Sequence, residues 1–262
     1  MLFLNIFYGI LFFLYGVIIG SFLNVCILRI PLNETIVTTP SHCMSCGHKL
    51  AWYDLFPLFS YLFLGGKCRY CKAKISWQYP LVEFLNGVIY LLTFLVLGVG
   101  GSVTQTVNTL LICVFFSTML VLAGIDIKYQ IVPDKINLFI FILGIIVTAI
   151  DYQNWATHVI GFFAVSIPLF ILLLFGGMGG GDVKLYASAG LLVGWKLAVL
   201  SIMLASVFGA IASVILLIAG KAKEGGKTRI PFVPFISLSM LVAVLWGSEI
   251  ISWYITKFFP AV

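Results

Sequence analysis

The sequence predicts an all-α polytopic membrane protein. Apolar residues make up 62% of the chain and charged residues only 9%. Mean hydropathy is +1.16, and the apolar residues gather into long runs. So few charges cannot coat a soluble globule. A helix needs about 20 apolar residues to cross the hydrocarbon core of a bilayer. Eight stretches approach that length, at 3–28, 80–98, 105–125, 136–150, 158–175, 183–195, 197–219 and 231–256.

The first stretch lacks a basic leading region and is too long for a cleavable signal, so it reads as a permanent span. The polar segment after it, 29–79, is the one connection long enough to be a domain. The remaining seven spans, 80–262, form the membrane body. The sixth stretch is short for a crossing, but basic residues settle the parity. With eight crossings and both termini outside, the inner loops hold Arg29, Lys49, Lys67, Arg69, Lys72, Lys74, Lys128, Lys135, Lys184, Lys221, Lys223, Lys227 and Arg229. Only Lys196 and Lys257 of the 15 basic residues are left outside. Basic residues favour cytoplasmic loops. A re-entrant sixth stretch would put the 221–229 cluster outside, so the crossing stands and the glycine-rich segment before it is expected to dip into the membrane. The net charge of +6 is thus an orientation signal and an attraction to anionic lipid, not a nucleic-acid footprint.

In the 29–79 segment, Cys43-x-x-Cys46 and Cys68-x-x-Cys71 are separated by 21 residues, the spacing of a zinc ribbon. The cytosol keeps thiols reduced, which favours metal over two disulfides. Four Cys ligands leave no open position, so the Zn2+ is structural, and it stabilises a domain with too small a core to fold unaided. His42 and His48 read as spare surface residues, and Cys26 and Cys113 as small buried hydrophobes.

Of the nine acids, most have ordinary explanations. Asp151, Glu224 and Glu249 lie in or near loops. Asp134 reads as the N-cap of the span that follows it, and Glu83 follows Pro80 at a helix start, where the dipole favours an acid. Asp126 and Asp182 resist this treatment. Each comes straight off the cytosolic end of an apolar span, and ionisable groups at membrane depth are functional candidates. Two carboxylates close together in a low dielectric cannot both ionise cheaply, so one holds the proton. Such a dyad takes a proton from water and gives one to a carbonyl oxygen, which suffices for peptide hydrolysis. The glycines of "FGGMGGGDVKLY", 175–186, let the backbone turn tightly and bring a substrate strand close. Lys184 reads as snorkelling to lipid phosphates. The segment lacks the endings of a P-loop and the spacing of a dinucleotide motif.

Four stretches together carry a resemblance: "GSFLNVCILRIP" at 20–31, the Cys-rich run from Pro40 to Gly87, "DIKYQIVPD" at 126–134 and "GGGDVKLYASAGLLVGW" at 179–195. In this order they resemble the type IV prepilin peptidases, bifunctional enzymes of type IV pilus, type II secretion and competence systems in the bacterial inner membrane. The resemblance implies a membrane aspartic endopeptidase with the G-x-G-D motif at Gly179 to Asp182 and catalytic Asp126 and Asp182. It implies removal of a short basic leader from prepilins or pseudopilins after a glycine, then N-methylation of the new terminus with S-adenosylmethionine. Methyl transfer is associated with the cytosolic domain and its margins, where Asn24, Asp54 and Glu83 are the candidates; Asn24 follows Gly16-x-x-x-Gly20, a helix-packing motif in which it equally serves as interhelical glue. A monofunctional peptidase, an ion-coupled transporter and a zinc-ribbon adaptor are the alternatives. Substrate identity and oligomeric state are not encoded legibly.

Overall fold

A computed structural model describes residues 2–219 and 230–258. Lys221, Lys223, Glu224, Lys227 and Arg229 lie outside the described residues. The described chain is helical apart from loops and two isolated β-bridges, and it divides into two compact units, Met1–Val121 and Leu122–Val262.

In the first unit, α1 (Leu2–Arg29) packs along α3 (Gln78–Leu97). The contact is as close as backbones allow. A Cβ added at Gly16 would lie 2.7 Å from Asn86 O, and one at Gly20 would lie 2.7 Å from Glu83 Cα. Gly87 supplies the complementary gap for Val17. Without a hydrophobic drive between helices in lipid, such small-residue seams and interhelical hydrogen bonds supply the attraction. Asn86, fully buried, donates to Gly16 O at 2.7 Å and accepts from Ser117 of α4 (Val103–Tyr129) at 2.9 Å. Each such bond contributes about 0.6–2 kcal/mol. Between α1 and α3 lies the Cys-rich loop with its one short helix, α2 (Phe59–Phe63).

The second unit takes α4 from Leu122 onward and adds α5 (Asp134–Ile150), α6 (Trp155–Ala164), α7 (Ser166–Leu174), α8 (Gly180–Val193), α9 (Trp195–Ile218) and α10 (Val233–Phe258). The fifth apolar stretch breaks at Val165, three residues before Pro168, whose missing N–H leaves the Ala164 carbonyl without its helical bond and whose ring crowds that same carbonyl. In α8, Val183, Leu185, Tyr186 and Ser188 to Leu192 are all buried, as befits a helix enclosed on every side. α5, α6, α7 and α9 surround it. Gly161 of α6 and Gly190 of α8 meet backbone to backbone, and Gly144 of α5 takes Leu191.

All eight apolar stretches are helical. Six segments are long and apolar enough to span a bilayer: Phe3–Leu32, Gln78–Leu97, Val103–Tyr129, Tyr152–Leu174, Trp195–Ile218 and Val233–Phe258. The protein is a multi-pass membrane protein. The 17-residue α5 and 14-residue α8 are shorter.

Candidate active site and metal centre

Asp126 sits in the last turns of α4, 6% exposed, between fully buried Ile125 and outward-facing Ile127. Its Oδ2 accepts the Val233 N–H at 2.9 Å. Val233 opens α10, so Asp126 satisfies one of the unpaired donors at a helix start, where the backbone dipoles favour negative charge.

Asp182 lies in the first turn of α8. The glycines before it have separate tasks. Gly176, at φ +71°, ends α7: its N–H reaches Leu173 O and the Gly177 N–H reaches Leu172 O, both at 2.9 Å. This Schellman pairing requires a left-handed residue, for which glycine has no steric penalty. Gly179 leaves room for the carboxyl, since a Cβ there would lie 3.3 Å from Asp182 Oδ2. Gly181 is pressed against the α4–α5 linker, with Val132 Cβ 2.8 Å from where its own Cβ would be. The linker that carries the chain away from Asp126 is thereby seated on the turn that carries Asp182.

No cation neutralises the pair among the described residues. Lys184 instead reaches Asp134 at 2.8 Å, with both side chains mostly exposed, a contact worth little in water. Asp134 is the first residue of α5, not its N-cap; Pro133 holds that position, and no side chain caps it. One turn below Asp182, Tyr186 is fully buried with its Oη 3.5 Å from Ser201, which is 3.0 Å from Ser239. The pattern gave no warning of Asn137. It is buried in α5, and neither its Oδ1 nor its Nδ2 has a hydrogen-bond partner among the described residues. Its position on the apolar face of α5 was the only signal available.

In the first unit the Sγ atoms of Cys43, Cys46, Cys68 and Cys71 lie within 4.8 Å of one another. Two similar knuckles bring them together. His42 bridges Lys49 and Lys67 bridges Lys74, and the residues after the second Cys of each pair, Gly47 and Lys72, both have positive φ. The Cys43–Cys71 separation is 3.8 Å, which matches the edge of about 3.8 Å expected for a tetrahedron with Zn–S bonds near 2.3 Å. Backbone N–H groups of Cys46 and Ser45 pull the Cys43 thiol down to about 6, toward the thiolate a metal requires. The donor set therefore fits a structural zinc. His48 stacks on Tyr70 with ring centroids 3.7 Å apart, and His42 turns to Pro40 O; neither joins the cluster.

Asn24, Asp54 and Glu83 are all engaged by the protein itself. Asn24 donates to Tyr79 O at 3.1 Å and lies 3.4 Å from Gln78 Nε2. Glu83 accepts the Leu58 N–H at 2.8 Å. Asp54 accepts from Arg69 Nε at 2.7 Å, Tyr70 Oη at 3.2 Å and the Ala51 N–H at 3.3 Å. Burial by itself would raise the Asp54 carboxyl, but those donors, Arg69 foremost, hold it below the usual carboxylate range.

Residues 14–97 match the model of the bacterial peptidase A24 N-terminal domain, and residues 113–214 match that of the type IV leader peptidase family. The chain belongs to the type IV leader peptidase family. It is 30% identical to the prepilin leader peptidase/N-methyltransferase of Bacillus subtilis, over 93% of this chain and 96% of that one. It is 34% identical to those of Stutzerimonas stutzeri and Pseudomonas aeruginosa, over 92% of this chain and 91% of each relative. No solved structure matches the chain.

Proposed function

We propose that the chain is an integral membrane aspartic endopeptidase that removes the leader of prepilins or pseudopilins after a glycine and then N-methylates the exposed terminus with S-adenosylmethionine. The relatives that match over nearly the whole length bear the name of both activities. The observation that carries the reading is the seam that seats the turn bearing Asp182 on the linker leaving Asp126, with no salt bridge to either carboxyl among the described residues.

Their surroundings assign roles. The α10 start stabilises charge on Asp126, so Asp126 is the ionised member and Asp182 holds the shared proton. Water adds to the scissile carbonyl as Asp126 takes its proton and Asp182 donates to the carbonyl oxygen. Collapse of the gem-diol breaks the C–N bond as the proton on Asp126 passes to the leaving amine and one hydroxyl proton of the diol returns to Asp182.

The distribution of basic residues supports a reading with this chemistry at the cytosolic face of the inner membrane, eight crossings, α5 and α8 included, and both termini outside. There the apolar helix of a pilin presents the bond that joins it to its leader. Structural zinc holds the cytosolic loop. Asn24, Asp54 and Glu83 serve methyl transfer as positioning residues, because their polar atoms hold the loop and the α1–α3 junction. An ion-coupled transporter would carry its acids near the midplane of repeated halves, whereas these acids stand at helix ends.

The test incubates solubilised protein with one prepilin and S-adenosylmethionine and weighs the product. Loss of the leader plus one methyl group is expected. An intact substrate rejects the peptidase reading, and an unmethylated mature product reduces the chain to a peptidase alone.

A further inference from the structure

The segment between the two Cys knuckles is inside out for a domain in water. Trp52, Phe56, Phe59, Leu62 and Phe63 are 52–86% exposed, whereas Asp54, the only charged side chain among them, is 3% exposed. Contiguous exposed apolar surface of this kind marks a partner that is itself apolar. We propose that this face, Trp52 to Phe63, lies in the headgroup–acyl boundary of the lipid bilayer, as an in-plane anchor beside α1 and α3.

The depth follows from two contacts and one spacing. Gly20 of α1 meets Glu83 of α3 at Cα, so these two residues share one level. The Glu83 carboxylate then holds the Leu58 N–H at 2.8 Å, and a Glu side chain reaches about one helical turn. Arg29, the first charge on α1, comes nine residues after Gly20, about 13 Å further along the axis. Leu58 is therefore tied beside a part of α1 that is still apolar, and its exposed aromatic neighbours are drawn to the same depth. Leu58 takes the unusual backbone angles φ +60°, ψ −51° to make the bond. The composition suits the site as well. Trp and Tyr rings favour the membrane–water interface, and amphipathic segments lie there with apolar side chains in the acyl boundary. At the edge, Arg69 stands over the Tyr53 ring at 5.1 Å while paired to Asp54, a cation at headgroup level.

The test needs no variant. Protein reconstituted in phosphatidylcholine–phosphatidylglycerol vesicles is photolabelled with a lipid-soluble carbene reagent and, separately, with a water-soluble one, and the sites are mapped by mass spectrometry. Residues 52–63 are expected to take the lipid-soluble label to within about twofold of the exposed faces of α1 and α3, and the aqueous label about fivefold less than Val37. Dominant aqueous labelling overturns the proposal. So does protection that develops only when a prepilin peptide is added, which makes the face a substrate dock, or exclusion of both reagents, which makes it a contact between copies. A second measurement uses Phe59→Asp with Phe63→Asp. Aqueous labelling of the segment is expected to rise about fivefold with the zinc content unchanged. Unchanged labelling in this variant also overturns the proposal.

Discussion

Asp54 and Asp126 are both almost entirely enclosed, yet their surroundings differ in kind. Asp54 collects a guanidinium, a phenol and a backbone N–H, and its charge is fully answered. Asp126 receives the main chain of α10, meets no cation among the described residues, and is followed by a linker that rests on the turn bearing Asp182. A carboxylate with a complete set of donors has no capacity left for a reacting proton, so burial alone does not mark a catalytic acid. The contrast also orders the experiments.

The largest effect is expected at the unanswered pair. Asp126→Asn or Asp182→Asn should slow leader cleavage by about 10³-fold or more, the scale of a lost acid–base group, while Asp54→Asn leaves cleavage within about threefold. Equal losses at all three positions would erase the distinction. Next comes the seam that holds the pair. Gly181→Ala drives a methyl group into Val132, and a displacement near 1 Å at a catalytic group costs up to about 100-fold; kcat should fall, with KM less affected. Metal removal probes the other region. Stripping the proposed zinc with a strong chelator should open all four Cys thiols to alkylation and the loop to proteolysis, with cleavage retained within about threefold, because a structural metal would supply folding free energy to that loop alone.

A smaller effect concerns pH. The Asp54 carboxyl is held low, so its contribution to the loop's stability is complete at neutral pH and is lost as the pH falls through the ordinary carboxylate range toward its folded value. Protease resistance of the loop should decline on acidification, and Asp54→Asn should flatten that decline. The smallest change is a gain. Asn137→Leu removes a buried amide with no partners, so thermal unfolding in detergent should show a stabilisation of about 1–3 kcal/mol.

Much of this was legible before any coordinates. Run length gave the helices, because lipid demands them, and Asp126 and Asp182 stood out as acids that no loop or cap explained. The two Cys pairs were visible because each knuckle is local. What stayed hidden depends on distant partners. Nothing in "DIKYQIVPD" says that Asp126 will meet Val233, 107 residues away, or that Val132 will rest on Gly181. Asp134 was misread as a cap because its hydrogen bond goes to Lys184, across to another helix. The candidacies of Asn24, Asp54 and Glu83 rested on residue type and neighbourhood, and sequence could not reveal how fully each is occupied by its own fold.

Since Oδ2 of Asp126 is tethered to the Val233 amide, the carboxyl group cannot spin freely, and its two oxygens cease to be interchangeable. Hydration of the scissile bond should then proceed from one face of the peptide plane, set by a main-chain N–H that only a proline at position 233 would remove.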